Sequence, residues 1–272
     1  MLALGANKTS IILAVVSFLA LGVQSGFAEV VSVDPIVEGR AFSSDKTKTF
    51  LWAAKDAKAT LVFIPGGTGR IGLVDDKKDL GSFDGSTLKP LADPRLTQGL
   101  VNVVVFDSPS VLSEGKYYPN ERATADHMAR IESVVLFYKE KLSQPIWLMG
   151  HSNGAVSVTE FYKYLQKANR EPLVSGMVYS SGRTGSDFNP RTTNLPVLFL
   201  AHEMDECLGS PSAASRAVYE RLKRVDTAKL EYVLIRGGSS QADPCRSGYH
   251  MFYGASAEAY KAIDAFISSF YR

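Results

Sequence analysis

The sequence predicts an α/β fold, a mostly parallel central sheet flanked by helices on both faces. Three observations predict it. Short β-branched apolar runs alternate with longer segments of helical periodicity, the order that right-handed βαβ units produce. Most of those runs are continuous, without polar alternation, as strands buried on both faces require. The chain is also long and apolar enough for one large core: 272 residues, 45% hydrophobic and 21% charged. It shows no internal repeat, low-complexity tract or linker, so one domain over residues 29–272 is the simplest division.

Taken in order, the first 28 residues stand apart. Lys8 supplies a thin positive region and Ile11–Val23 (IILAVVSFLALGV) an apolar run. Gly26-Phe27-Ala28 then puts small residues at −3 and −1 of a cleavage site before Glu29. This is the layout of a secretory signal peptide over residues 1–28. The run is shorter than the roughly 20 apolar residues of a membrane span. The expected location is secreted or periplasmic, with no stable membrane insertion after cleavage. Export would place Cys207 and Cys245, the chain's two cysteines, in an oxidising compartment, where a disulfide is the default.

Strands are expected at Thr49–Ala53 and Thr60–Ile64, joined through the turn-like Lys55-Asp56-Ala57-Lys58. Val101–Phe106, Ile146–Met149, Gly176–Tyr179, Val197–Ala201 and Glu231–Ile235 follow. Between them lie the helical patterns. Ala125–Leu142 carries Met128, Ile131, Val134, Val135 and Tyr138 at helical spacing, and Gly154–Lys167 carries Val158, Phe161, Tyr162 and Leu165. Pro211–Val225 opens with Ser210 as N-cap and proline at N1, and Ala255–Tyr271 has Tyr260, Ile263, Phe266, Ile267 and Phe270 on one face.

Charge and cysteine count exclude several function classes. Lys and Arg number 30 against 28 Asp and Glu, a net +2 that argues against nucleic acid as the partner. Two cysteines are too few for a cysteine-based zinc site or a disulfide scaffold.

The most specific motif is Gly150-His151-Ser152-Asn153-Gly154, a G-x-S-x-G that follows a strand and precedes a helix. A nucleophile raised on so sharp a turn brings the residues two before and two after it together, and glycine at 150 and 154 removes the clashing side chains. The helix after it turns its N-terminal N–H groups toward the site, which favours developing negative charge. Here the chain resembles the α/β-hydrolase superfamily, over nearly the whole of residues 29–272.

The resemblance implies a nucleophile, acid and histidine in that chain order. Ser152 is the nucleophile. Asp205, in the loop after Val197–Ala201, takes the acid's place, with Glu203 and Glu206 as its neighbours in the same acidic loop. His250, before the last helix, takes the base's place. Of the other histidines, His127 is expected exposed or half-packed on its helix, His151 points away from the nucleophile, and His202 ends a strand beside the acid loop. The oxyanion hole would draw one N–H from Asn153 and a second from the loop Pro65-Gly66-Gly67-Thr68-Gly69, with Gly67 the first choice and Thr68 the next. Proline stands where many relatives have histidine, but the donor lies further on. Cys207 and Cys245 would then flank the acid and the base, and a bridge between them would hold the two loops in register. A zinc reading of His202-Glu203-x-x-Glu206 departs from H-E-x-x-H at its last position and starts at a strand end.

The expected function is a secreted serine hydrolase that cleaves a small-molecule ester without cofactor or metal. A peptidase or amidase on the same fold and a catalytically silent binding protein are the alternatives. Nothing in the sequence indicates an oligomeric state. The short segment Ser180–Pro196 leaves no room for a helical cap, so the site should be open. Asp107–Thr124, with Tyr117 and Tyr118, is a candidate wall.

Overall fold

The computed structural model describes residues 27–37, 40–41, 45–73, 88–108, 121–188, 194–225, 229–246 and 248–271. The signal-peptide run, as well as Tyr117 and Tyr118, lies outside the described residues. Eight strands form one sheet: β1 (Ala28–Val33), β2 (Thr47–Trp52), β3 (Ala59–Ile64), β4 (Val101–Phe106), β5 (Ile146–His151), β6 (Gly176–Ser180), β7 (Val197–His202) and β8 (Leu230–Ile235). Their spatial order is β1-β2-β4-β3-β5-β6-β7-β8. The first two pairings, β1 with β2 and β2 with β4, are antiparallel, and every later one is parallel.

Among the described residues four α-helices cover the sheet: α1 (Ala125–Leu142), α2 (Asn153–Lys167), α3 (Ser212–Lys223) and α4 (Ser256–Ser268). The pleat sends alternate residues of each strand to opposite layers. On β5, Ile146 and Leu148 face the layer of Ile131 and Val134 from α1, Phe161 from α2 and Leu222 from α3. Trp147 and Met149 face the other layer, with Ile263, Phe266 and Ile267 of α4 and Leu91 of the short 3-10 turn Lys89–Ala92. Each such side chain, fully buried, contributes about 1.5–3 kcal/mol. The two layers explain why the middle strands read as continuous apolar runs.

Three expectations need correction. Ala28–Val33 forms a strand where none is expected. That segment pairs along the sheet edge, where half-buried positions replace a continuous apolar run. The third helix begins at Ser212, with Pro211 at its N-cap in extended conformation and no side-chain cap, so Ser210 lies outside the helix. His127 is fully buried rather than exposed, because α1 turns that face onto α2 and the sheet.

The chain order reverses at β3, whose neighbours are β4 on one side and β5 on the other. The loops leaving the carboxyl ends of β3 and β5 therefore meet at this switch point, where open α/β sheets hold their ligands. Ile64 pairs with Gly150 and His151 with Ser180, so the strands end side by side along that edge.

Candidate active site

Ser152 occupies the turn between β5 and α2 at φ 55°, ψ −119°, a region that a residue with a Cβ enters only when its surroundings hold it there. Its N–H donates to Ser180 O at 2.9 Å, and its carbonyl accepts from Ala155 N–H at 3.0 Å. A Cβ on Gly150 would overlap the backbone of Gly154, and one on Gly154 would overlap the Ile64 carbonyl. The turn closes because both positions lack one. Gly66 rests on the serine itself: a Cβ there would stand 3.0 Å from Ser152 Cβ.

On the other side of the site, His250 Nδ1 lies 2.8 Å from Asp205 Oδ2, and both side chains are fully buried. The second oxygen of Asp205 accepts the Cys207 N–H at 3.0 Å. The neighbouring acids face elsewhere: Glu203 pairs with Arg236 at 3.1 Å, and Glu206 accepts from Ser240 at 2.9 Å. Cys207 and Cys245 form a disulfide that joins the Asp205 loop to the segment leading to His250. His250 Nε2 is buried and makes no hydrogen bond among the described residues. Ser152 Oγ instead lies 3.5 Å from Ser210 Oγ, so the serine meets the acid loop through a second hydroxyl.

The remaining histidines meet other partners. His151 is buried, Nδ1 3.0 Å from Ser180 Oγ, with its ring 4.8 Å from that of His250. Burial, reinforced by His250, pushes its pKa well below the ordinary histidine value. His202 accepts the Met204 N–H at Nδ1 and donates from Nε2 to Gly237 O at 2.8 Å, which leaves neither nitrogen for a metal. No group of three His, Cys, Asp or Glu side chains able to hold a metal occurs among the described residues.

The loop after β3 is anchored by groups the sequence reading missed. Gly67 is exposed at φ 55°, and its carbonyl accepts from Asn153 Nδ2 and from Arg122 Nη2, each at 3.0 Å. Asn153 Oδ1 in turn accepts from Arg183 Nη1 at 3.1 Å. The Asp107 carboxylate gathers the N–H groups of Ile71, Gly72 and Leu73 at 2.6, 3.2 and 2.7 Å. Arg122 is buried, and its other terminal nitrogen donates to Ser157 Oγ at 3.0 Å. Ser157 Oγ also lies 2.8 Å from His127 Nε2. Burial, then the charges of Arg122 and Arg130, hold His127 well below the usual histidine range. Asn153 begins α2, where backbone N–H groups have no partner within the helix, so its N–H is free to meet a developing negative charge.

No protein-family model and no curated protein matches this sequence. Solved structures do resemble it. One is a dienelactone hydrolase from Anabaena variabilis, at TM-score 0.59 and 14% identity over 90% of this chain and 98% of that one. A second is an α/β serine hydrolase without lid from Xanthomonas campestris, at TM-score 0.58 and 14% identity over 91% and 95%. A third is brefeldin A esterase, described as a bacterial homologue of human hormone-sensitive lipase, at TM-score 0.58 and 13% identity over 92% and 79%. The likeness shows the fold: the chain has the α/β-hydrolase architecture, as its motif and strand order predict.

Proposed function

We propose that this α/β-hydrolase-fold protein is a serine hydrolase that cleaves a small-molecule ester through an acyl-enzyme. Two observations together carry the reading: a serine held at φ 55° on a strand–helix turn, and a buried histidine–aspartate pair 2.8 Å apart. His250 Nε2 takes the proton of Ser152 as its Oγ attacks the acyl carbonyl. Asp205 accepts the Nδ1–H, which fixes the tautomer and stabilises the imidazolium. The N–H groups of Asn153 and Gly67 receive the oxyanion. The tetrahedral intermediate collapses, the carbon–oxygen ester bond breaks, and the leaving alcohol takes the proton from His250. Water, deprotonated by the same Nε2, then attacks the acyl-enzyme, and the carboxylic acid leaves as Ser152 regains its proton. No cofactor enters any step.

Catalytic hydrogen bonds tighten in the substrate complex. The reading therefore requires Ser152 Oγ to exchange Ser210 for His250 Nε2 when substrate binds. The same contact favours a second reading, a silent binding protein in which Ser210 holds the serine permanently. Among the described residues no helix stands between β6 and β7, which supports an open site suited to small esters. Secretion is part of the proposal, supported by the signal-like residues 1–28 and the disulfide. Turnover of p-nitrophenyl esters of increasing acyl length, set against peptide anilides, tests the function. Ester cleavage that Ser152→Ala abolishes is the expected result. Faster anilide cleavage would make the protein a peptidase or amidase, and no turnover of either would make it silent.

A further inference from the structure

We propose that Arg122 is the positioning residue of the oxyanion hole, orienting the peptide planes of the loop after β3 and placing a positive charge behind them; this rests on the ester-hydrolase reading. One nitrogen of its guanidinium, Nη2, donates to three successive carbonyls: Pro65 at 3.0 Å, Gly66 at 3.4 Å and Gly67 at 3.0 Å. A planar trans peptide points its C=O and the following N–H in opposite directions. Drawing those three carbonyls to one side therefore turns the N–H groups of Gly66, Gly67 and Thr68 to the other. None of the three N–H groups donates to any group of the described residues, although the Gly69 N–H closes a turn onto Gly66 O at 2.8 Å. Gly66 sits directly against Ser152, so the freed N–H groups belong to the part of the loop beside the nucleophile. Asn153 Nδ2 binds the same Gly67 carbonyl and ties the clamped loop to the start of α2.

The charge argues the same way. A buried guanidinium is ordinarily matched by a carboxylate. Arg122 is 3% exposed, yet it pairs with no acid among the described residues. Its partners among the described residues are the three carbonyls and Ser157 Oγ, all neutral. Burial pushes its pKa down to about 10, so it stays charged at neutral pH. An uncompensated cation in a low-dielectric site is costly at rest and is offset when negative charge develops nearby, which is the condition for lowering a transition state more than a ground state. Gly69 belongs to the same device: a Cβ there would stand 2.7 Å from Arg122 Nη2.

The test compares wild type, Arg122→Gln and Arg122→Lys by steady-state kinetics on p-nitrophenyl acetate, with a trifluoromethyl ketone as transition-state analogue and thermal unfolding to confirm the fold. Arg122→Gln should lower kcat about 100-fold, as loss of an oxyanion donor does, with KM within about threefold. The ketone should lose affinity by the same factor as kcat/KM. Arg122→Lys, which keeps the charge and three donors but not the planar fork, should lose only several-fold in kcat. Wild-type kcat in both variants, or a raised KM at unchanged kcat, would overturn the proposal. If Arg122→Gln does not fold, Arg122→Lys decides alone: a several-fold loss confined to kcat supports the role, and an unchanged kcat removes it. A wild type inactive toward every ester would overturn the hydrolase reading first, and this inference with it.

Discussion

The two halves of the site are held together by different means. On the side of the proposed nucleophile, backbone close packing sets the turn: glycines at 150 and 154, a positive φ at Ser152, and the Gly66 backbone of the neighbouring loop resting on the serine. On the side of the proposed acid and base, residues 45 apart in sequence meet, and what ties their loops is a side-chain hydrogen bond and a covalent bridge, Cys207–Cys245. The turn at Ser152 leaves no room for a Cβ at positions 150 and 154. The acid–base side depends on cross-links that chemistry can remove. The difference teaches that the first half tolerates no added atom, while the second should respond to redox conditions and loop stability.

The largest expected effect falls where the two halves must act together. Ser152→Ala should lower kcat by ~10⁴-fold or more while leaving thermal stability near wild type. An alanine variant with undiminished rate would separate the elbow from any chemistry. Next comes the bridge. Replacing Cys207 and Cys245 by serine closes no loop between positions 38 apart, and the chain-entropy model gives a loss of about 4 kcal/mol, read by chemical denaturation. If the bridge also keeps Asp205 and His250 in register, kcat should fall by up to about 100-fold with the fold intact. Equal kcat in the bridged and unbridged proteins would reduce the disulfide to a stabiliser.

Smaller effects probe the close-packed half. Gly154→Ala drives a Cβ into the Ile64 carbonyl and should destabilise by about 1–3 kcal/mol. The pH dependence of unfolding, read per histidine and per pH unit, is smaller than the contribution of the bridge. His127 and His151 are buried in their neutral forms, with pKa values depressed well below 6.5. The unfolded chain binds their protons at the ordinary pKa and the folded chain does not. Stability is therefore full above pH ~6.5 and is lost as pH falls toward the folded values, by about 1.4 kcal/mol per pH unit for each histidine. His127→Gln should flatten that slope in a denaturation series between pH 7 and 5.

The same contrast governs how much of the molecule was legible in the sequence. The elbow could be read because its constraint is local: two glycines two residues either side of a serine, after an apolar strand. The middle strands could be read because both faces are covered. Ala28–Val33 escaped because an edge strand with half-buried positions shows neither a continuous run nor a clean alternation. Asp205 was separable from Glu203 and Glu206 only through chain order and the resemblance; in the fold it is the one of the three that meets His250. Ser210 looked like a helix cap and instead touches Ser152, because Pro211 takes the cap position in extended conformation. Arg122 left no signal at all. Three of its partners lie 55 to 57 residues back in the chain and are backbone carbonyls, which carry no residue identity, and the fourth, Ser157 Oγ, lies 35 residues on.

The central claim is that Ser152 is a nucleophile served by His250 and Asp205. Its most direct test is labelling of the folded protein with a fluorophosphonate, followed by peptide mapping. The account predicts one adduct per chain, on Ser152, absent in Ser152→Ala and slowed by orders of magnitude in His250→Ala. A wild-type protein that stays unlabelled, or an adduct on any other residue, would contradict it.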